Sequence, residues 1–297
     1  MQVYGLLSHL IAENASTDFA IRLTAARSLA KCCDAWDFKM DEFSPFLPAA
    51  VNAILSLLRE VDQAESQTRL SKTLNALVDR AGAQIIPFAE PLMHTLGHLW
   101  SVATEPQLRI SILVTFTALV NALNDHSQPL QAPGAAIIAQ SVDLGSEAHV
   151  YLLEDGLELW HALLKRSSAL SAEMMALLPV LVQHLAAGTD VLPRCLRILE
   201  SYLLIDAPAV LHVCCSDLFV VIENLLGDLK LEAVKAILHA LDTILRTTPC
   251  QSWIGALDQT NAIGKLIYPI MKHDQIQIVT KCKFFGMSEE RVRCGPI

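Results

Sequence analysis

Apolar residues recur three and four positions apart through most of this chain, and no stretch sustains strict alternation, so the pattern predicts helices and no sheet. The helices fall into two alternating sets. The first set is predicted at 2–13, 46–61, 87–101, 130–143, 172–187, 208–226 and 253–272. The second follows at 18–33, 66–81, 106–123, 148–166, 190–205 and 228–247. Pro87, Pro129, Pro208 and Pro249 stand at or near predicted helix starts, where a missing N–H is harmless.

Successive pairs repeat at about 40 residues, the period of HEAT and armadillo units and longer than that of tetratricopeptide or ankyrin units. The predicted fold class is all-α: an α-solenoid of antiparallel helix pairs, HEAT/armadillo-like, over residues 1–282, with about six pairs and a partial seventh. Each pair should touch mainly its neighbours. Residues 283–297 mix Lys, Glu and Arg with Gly286, Gly295 and Pro296 and carry no apolar stripe. They are predicted to form an irregular tail that leaves the apolar face of 253–272 partly uncovered.

Composition sharpens this picture. The chain is 53% hydrophobic and 18% charged, with a mean hydropathy of +0.39, so it must bury a large core. The most apolar segment, "ISILVTFTALVNAL" at 110–123, is shorter than the ~20 residues that span a bilayer and contains Ser111, Thr115, Thr117 and Asn121; no membrane insertion is expected. The opening "MQVYGLLSHLIAEN" lacks the basic flank and cleavage site of a signal peptide, so an intracellular location is expected. Eight cysteines without any CxxC read as reduced core residues. With 22 basic and 31 acidic residues the net charge is −9, which disfavours direct nucleic-acid binding and suits basic protein partners.

Candidate chemistry is sparse. In "HVYLLEDGLELW", residues 149–160, three carboxylates interrupt an apolar run. A helical wheel places Leu153, Leu157, Trp160 and Leu164 on one stripe with Val150 at its edge, and Glu154, Asp155, Glu158 and Tyr151 opposite. These carboxylates therefore read as a solvated helix face rather than an acid/base pair, since no partner group is fixed beside them. As exposed acids on a second helix, Glu154, Asp155 and Glu158 are the candidate protein-binding residues, suited to a basic segment. Glu90, His94 and His98 recur at four-residue intervals, yet the HExxH order is missing and no further ligand is fixed, so no metal site is assigned. No Walker, GxGxxG or GxSxG sequence occurs, so no cofactor and no catalytic residue is assigned and the chain reads as a non-enzyme. Trp36, Trp100, Trp160 and Trp253 are expected in the core or between repeats.

Several stretches carry a resemblance. "AIRLTAARSLAKCCDAWDFKMDEFSPFLPAAVNAILSLL" (20–58) has Arg22 with Ala25, Ala26 and Leu29 at second-helix spacing, then Asp37-Phe38 and Phe43-x-Pro45-Phe46-Leu47. With "IIPFAEPLMHTLGHLW" (85–100) and "HVYLLEDGLELW", it resembles the importin-β superfamily of nuclear transport receptors, most closely the importin-11 type, in one register from about residue 2 to about residue 280. The resemblance implies a middle-to-late part of a HEAT superhelix that binds protein cargo for nuclear import. It also implies control by the small GTPase Ran through family N-terminal repeats that the matched portion lacks, contact with nuclear pore proteins, and a location in cytoplasm and nucleus including the nuclear envelope. A HEAT-repeat scaffold holding a multiprotein assembly is the alternative that periodicity alone leaves open. The stretch "KCKFFGMSEERVRCGPI" departs from the family pattern.

Overall fold

The structure is a computed structural model, and it describes residues 2–12, 18–188, 190–226, 231–262 and 264–265. The irregular tail expected at 283–297, and the face of 253–272 it would leave uncovered, lie largely outside the described residues. Among these residues there are helices and no strands. Two compact units are present, 1–177 and 178–297.

The first unit is built from helix pairs. Its first helices are α1 (Gln2–Ile11), α4 (Leu47–Glu60), α6 (Ala89–Val102) and α8 (Gln131–Ser141). Its second helices are α2 (Phe19–Asp34), α5 (Ala64–Ala81), α7 (Pro106–Leu123) and α9 (His149–Lys165). Two short helices complete it, α3 (Met40–Phe43) leading into a 3-10 turn at Ser44–Phe46, and α10 (Ala172–Ala176). Neither α3 nor this turn is visible in the apolar period, because one turn is too short to show a face.

The repeat is written into the loops. α5 ends at Gly82 with φ 51° and α7 ends at Asn124 with φ 52°. Glycine takes a positive φ without a Cβ clash, and asparagine enters that region more readily than most side chains. Each is followed by a 3-10 turn, Gly82–Phe88 and Asn124–Leu130, that holds Pro87 or Pro129 and delivers the chain into the next first helix. The two turns lie about 42 residues apart, well beyond the 34 of a tetratricopeptide unit.

A second recurring device ties the first helix to the second in the first three pairs. Arg22 Nε donates to Ile11 O (2.8 Å), Gln67 Nε2 to Val61 O (2.7 Å) and Arg109 Nε to Ala103 O (2.9 Å). Each donor stands early in a second helix and satisfies a carbonyl at the C-terminal end of the first, where no intrahelical partner exists.

Second helices pack against their successors, α2 on α5, α5 on α7 and α7 on α9, more extensively than first helices do. A stack whose one layer is closer-spaced curves toward that layer, which puts the second helices of this unit on its inner side. The wider spacing of the first helices opens grooves of about 500 Å³ between α1 and α4 and about 590 Å³ between α4 and α6.

The second unit contains α11 (Leu178–Ala187), α12 (Leu192–Leu225), α13 (Leu231–Thr247) and α14 (Ile254–Asp258). The helix expected at 172–187 is split at Leu177, because Pro179 has no N–H to continue the ladder. The helices expected at 190–205 and 208–226 are both present within α12, joined directly at a kink at Asp206. Asp206 leaves helical geometry (φ −154°, ψ 75°), and its Oδ1 accepts the Ala209 N–H at 3.1 Å, so it caps the second segment while Pro208 fills an early position that needs no donor. α11, α13 and α14 all pack on α12.

Two helical runs, 106–141 and 192–225, have the length and apolar content of membrane spans. Each is broken, at Asn124 and at Asp206, and 56% and 44% of their apolar windows are buried against the rest of the protein. Helix packing accounts for that buried share.

Candidate protein-binding face

α9 carries the candidate carboxylates, and its burial is wider than a single stripe. Leu157, Trp160 and Leu164 are buried as the period predicts, but Leu152, Gly156, Leu159, Ala162 and Leu163 are buried too, while Leu153 is half-buried and Val150 is 81% exposed. The cause is position: α9 is covered on one side by α8 and on another by α7. Gly156 marks the closest approach, since a Cβ there would lie 2.7 Å from Ser141 Cβ and 3.2 Å from Val142 Cγ1. Any side chain at 156 would push α8 away.

What remains open to solvent is a polar strip. Glu154 and Glu158, one turn apart, are exposed together with Tyr151, and Asp155 is half-buried on the shoulder of the strip. The neighbouring inner helix α7 has one charged side chain, Arg109, and that guanidinium is engaged by Ala103 O and lies 5.3 Å over the Trp100 ring. The outward positions of α7, from Gln107 and Ile110 through Val114 and Thr117 to Asn121, are uncharged. On α5, Arg69 is paired with Glu65 at 2.5 Å. The outward positions of α7 thus add no charge of their own beside α9, while Glu154 and Asp155 have interactions of their own within the protein.

Glu90, His94 and His98 are exposed on α6, and the two histidines line the groove between α4 and α6 with Arg59, Asp62 and Thr95. Arg59 donates to Thr95 Oγ1 at 2.9 Å. Among the described residues no group of three His, Cys, Asp or Glu is placed to hold a metal. Burial pushes the Cys33 and Cys195 thiols up to about 12 and Cys214 to about 11, which keeps them protonated and inert at neutral pH.

The tryptophans divide. Trp160 is fully buried, and Trp100 is buried with its Nε1 donating to Gln140 Oε1 at 3.0 Å. Trp253 is half-buried. Trp36, expected in the core, is 96% exposed, because it stands in the turn after α2 where Phe38 and Phe43, stacked edge-on with Tyr4, already fill the apolar site. Acrylamide is therefore expected to quench Trp36 strongly, and Trp36→Phe to remove the larger part of the quenchable emission. Quenching that survives the substitution in full would place Trp36 inside.

Sequence reading passed over the buried polar ties. Arg22, 2% exposed, meets Glu60 through two hydrogen bonds (2.5 and 3.0 Å) while Ser56 Oγ donates to the same carboxylate at 2.8 Å. Gln131, 1% exposed, donates to Ser167 Oγ (2.5 Å) and Ala169 O (2.9 Å) and accepts from Ser171 N (2.7 Å), clasping the 166–171 loop to α8.

Comparison with known proteins agrees with this architecture. A family model described as importin-11-like, TPR repeats, matches residues 110–288, although the repeat length here is of the HEAT and armadillo kind. Mouse importin-11 is 28% identical over 233 residues, covering 78% of this chain and 24% of the relative. The importin beta-like protein kap113 of Schizosaccharomyces pombe is 27% identical over 265 residues, covering 88% and 27%. The chain thus spans about a quarter of the length of these relatives. Among solved structures, a designed armadillo repeat protein superposes with a TM-score of 0.60 at 14% identity over 82% of this chain and 98% of its own, and importin beta with 0.53 at 16% identity over 89% and 34%. These last likenesses establish the fold, an α-solenoid of the HEAT and armadillo kind. Since the family model covers more than half of its residues, the chain belongs to the importin-11-like family of the importin-β superfamily of nuclear transport receptors.

Proposed function

We propose that this chain forms a cargo-binding stretch of a nuclear transport receptor, acting by binding alone, and that the inner face of its first unit receives a basic segment of protein cargo at Glu154, Asp155 and Glu158. Membership of the importin-11-like family carries the reading. The acidic strip of α9 beside the uncharged face of α7 supplies the local chemistry, since a cationic segment laid there meets carboxylates and no opposing charge from α7. In this reading Ran in its GTP form releases the cargo by acting on other repeats of a longer receptor, nuclear pore proteins are further partners, and the receptor moves between cytoplasm and nucleus through the pore.

The test is charge reversal. Glu154→Lys, Asp155→Lys and Glu158→Lys together, in the full-length receptor, should sharply reduce cargo recovered from cytosol, and wild-type binding should weaken as salt rises. Helical circular dichroism should show the triple variant folded, and Glu158→Lys alone, at an exposed position, should move the melting temperature little, because surface substitutions shift stability by about 0.5 kcal/mol or less. Undiminished cargo capture by the triple variant would move the footprint to other repeats. Capture indifferent to Ran-GTP would favour a scaffold.

A further inference from the structure

We propose that Ser168 is a phosphorylation site, read by a kinase that recognises basic residues on the N-terminal side of its target hydroxyl. An arginine stands two residues before a serine or threonine at five places in this chain, at Thr24, Ser71, Ser111, Ser168 and Thr248. The fold disqualifies four of them. Ser71, Ser111 and Thr248 are buried, and Thr24 lies inside α2 with its hydroxyl donating to Ala20 O at 2.7 Å. A kinase cleft binds its substrate as an extended strand, which a residue inside a packed helix cannot supply.

Ser168 differs in each respect. It is exposed, it lies beyond the end of α9 in the irregular 166–171 loop, and it alone of the five has a second cation, Lys165, three residues before it. Its neighbour Ser167 is a poor acceptor, because its Oγ already donates to Leu163 O (2.5 Å) and accepts from Gln131 Nε2 (2.5 Å). Arg166 is half-buried, and its Nε has no hydrogen-bond partner among the described residues. A phosphate on Ser168 would carry about −1.5 to −2 charges and three acceptor oxygens two residues after Arg166 and three after Lys165, so modification offsets the two positive charges at the end of α9.

The step balances simply. Ser168 Oγ attacks the γ-phosphorus of ATP, the Oγ–P bond forms as the bond from that phosphorus to the β,γ-bridging oxygen breaks, the hydroxyl proton is lost to the kinase's base, and ADP leaves. Entry to the cleft requires the loop to lift, and the following carbonyl, Ala169 O, is held by Gln131 Nε2 (2.9 Å) and Gln128 Nε2 (3.0 Å). The more exposed of those two ties, from Gln128, therefore sets part of the rate. This inference does not depend on the transport reading.

The experiment incubates the full chain with the catalytic subunit of cAMP-dependent protein kinase and Mg-ATP, and localises phosphate by mass spectrometry. A peptide of residues 162–172 serves as the unfolded reference. One phosphate on Ser168 is expected, absent from Ser168→Ala, and Gln128→Ala should speed its addition to the folded chain without changing the peptide rate. Arg166→Ala should slow modification about tenfold in the chain and in the peptide alike, the peptide removing any question of folding. Phosphate placed on another hydroxyl, a peptide modified while the folded chain is not, or a failure of both to react would each overturn the proposal.

Discussion

Glu60→Ala is expected to lower the unfolding free energy of the first unit by about 3–5 kcal/mol, measured by urea denaturation followed by helical circular dichroism. The substitution leaves Arg22, which is 2% exposed, with a buried charge held by the Ile11 carbonyl and the face of the Phe19 ring, 5.5 Å away, and no carboxylate. Arg22→Met should cost markedly less, because the Glu60 side chain is 25% exposed and can turn to water. Arg22→Met with Glu60→Leu should recover most of the loss, since a well-packed apolar pair often matches a buried ion pair. Equal losses from the two single substitutions would refute this asymmetry.

The same pair gives the first unit an acid limb. The hydrogen bond from Arg22 holds the Glu60 carboxyl below its usual range; burial opposes this, and Ser56 adds to the lowering. A folded value below the unfolded one, about 4.3, means the stabilisation is complete above that pH and is lost as pH falls through the folded value. The stability gap between wild type and Glu60→Ala should therefore narrow below about pH 4. A gap that stays constant down to pH 3 would show that the carboxylate's charge contributes nothing.

Trp160→Ala is the other large loss, again about 3–5 kcal/mol, from lost burial of the indole and the cavity it leaves. Trp160 is fully buried on α9, a helix packed against both α7 and α8. Tyr151, on the same helix but 60% exposed, is the control: Tyr151→Ala should change stability by about 0.5 kcal/mol or less. Similar losses at both positions would mean that α9 is rotated relative to the geometry described.

The helix pairs of the first unit were legible in the sequence because a helix that keeps a polar strip toward solvent writes its period in apolar residues, as α4 and α5 do. α9 was harder to read. Covered by two neighbours, it buries Leu152 and Leu159 as well as the predicted stripe, and a single-face wheel has no place for them. The break inside α12 was legible, but how closely its two helices follow one another was not. Asp206-Ala207-Pro208 carries the signals of a helix start, and nothing local tells a start after a loop from a start directly upon another helix. Exposure of Glu154 and Glu158 was legible from the wheel. Gln131 and the Arg22–Glu60 pair were not, because each joins residues more than thirty positions apart and only the stacking of repeats brings them together.

A junction without a loop has no slack. Each residue of an α-helix turns its successors by about 100°. Adding or deleting one residue in the helical turn that follows Asp206 would swing the segment downstream of it by that angle and carry Leu211 and Leu218 out of the core. The loop at 142–148 between α8 and α9 could take up the same change in its own backbone. Length is therefore a fixed quantity at one junction of this chain and a free one at another, so change in its size over evolutionary time has its outlet in loops such as 142–148 and is barred at 206.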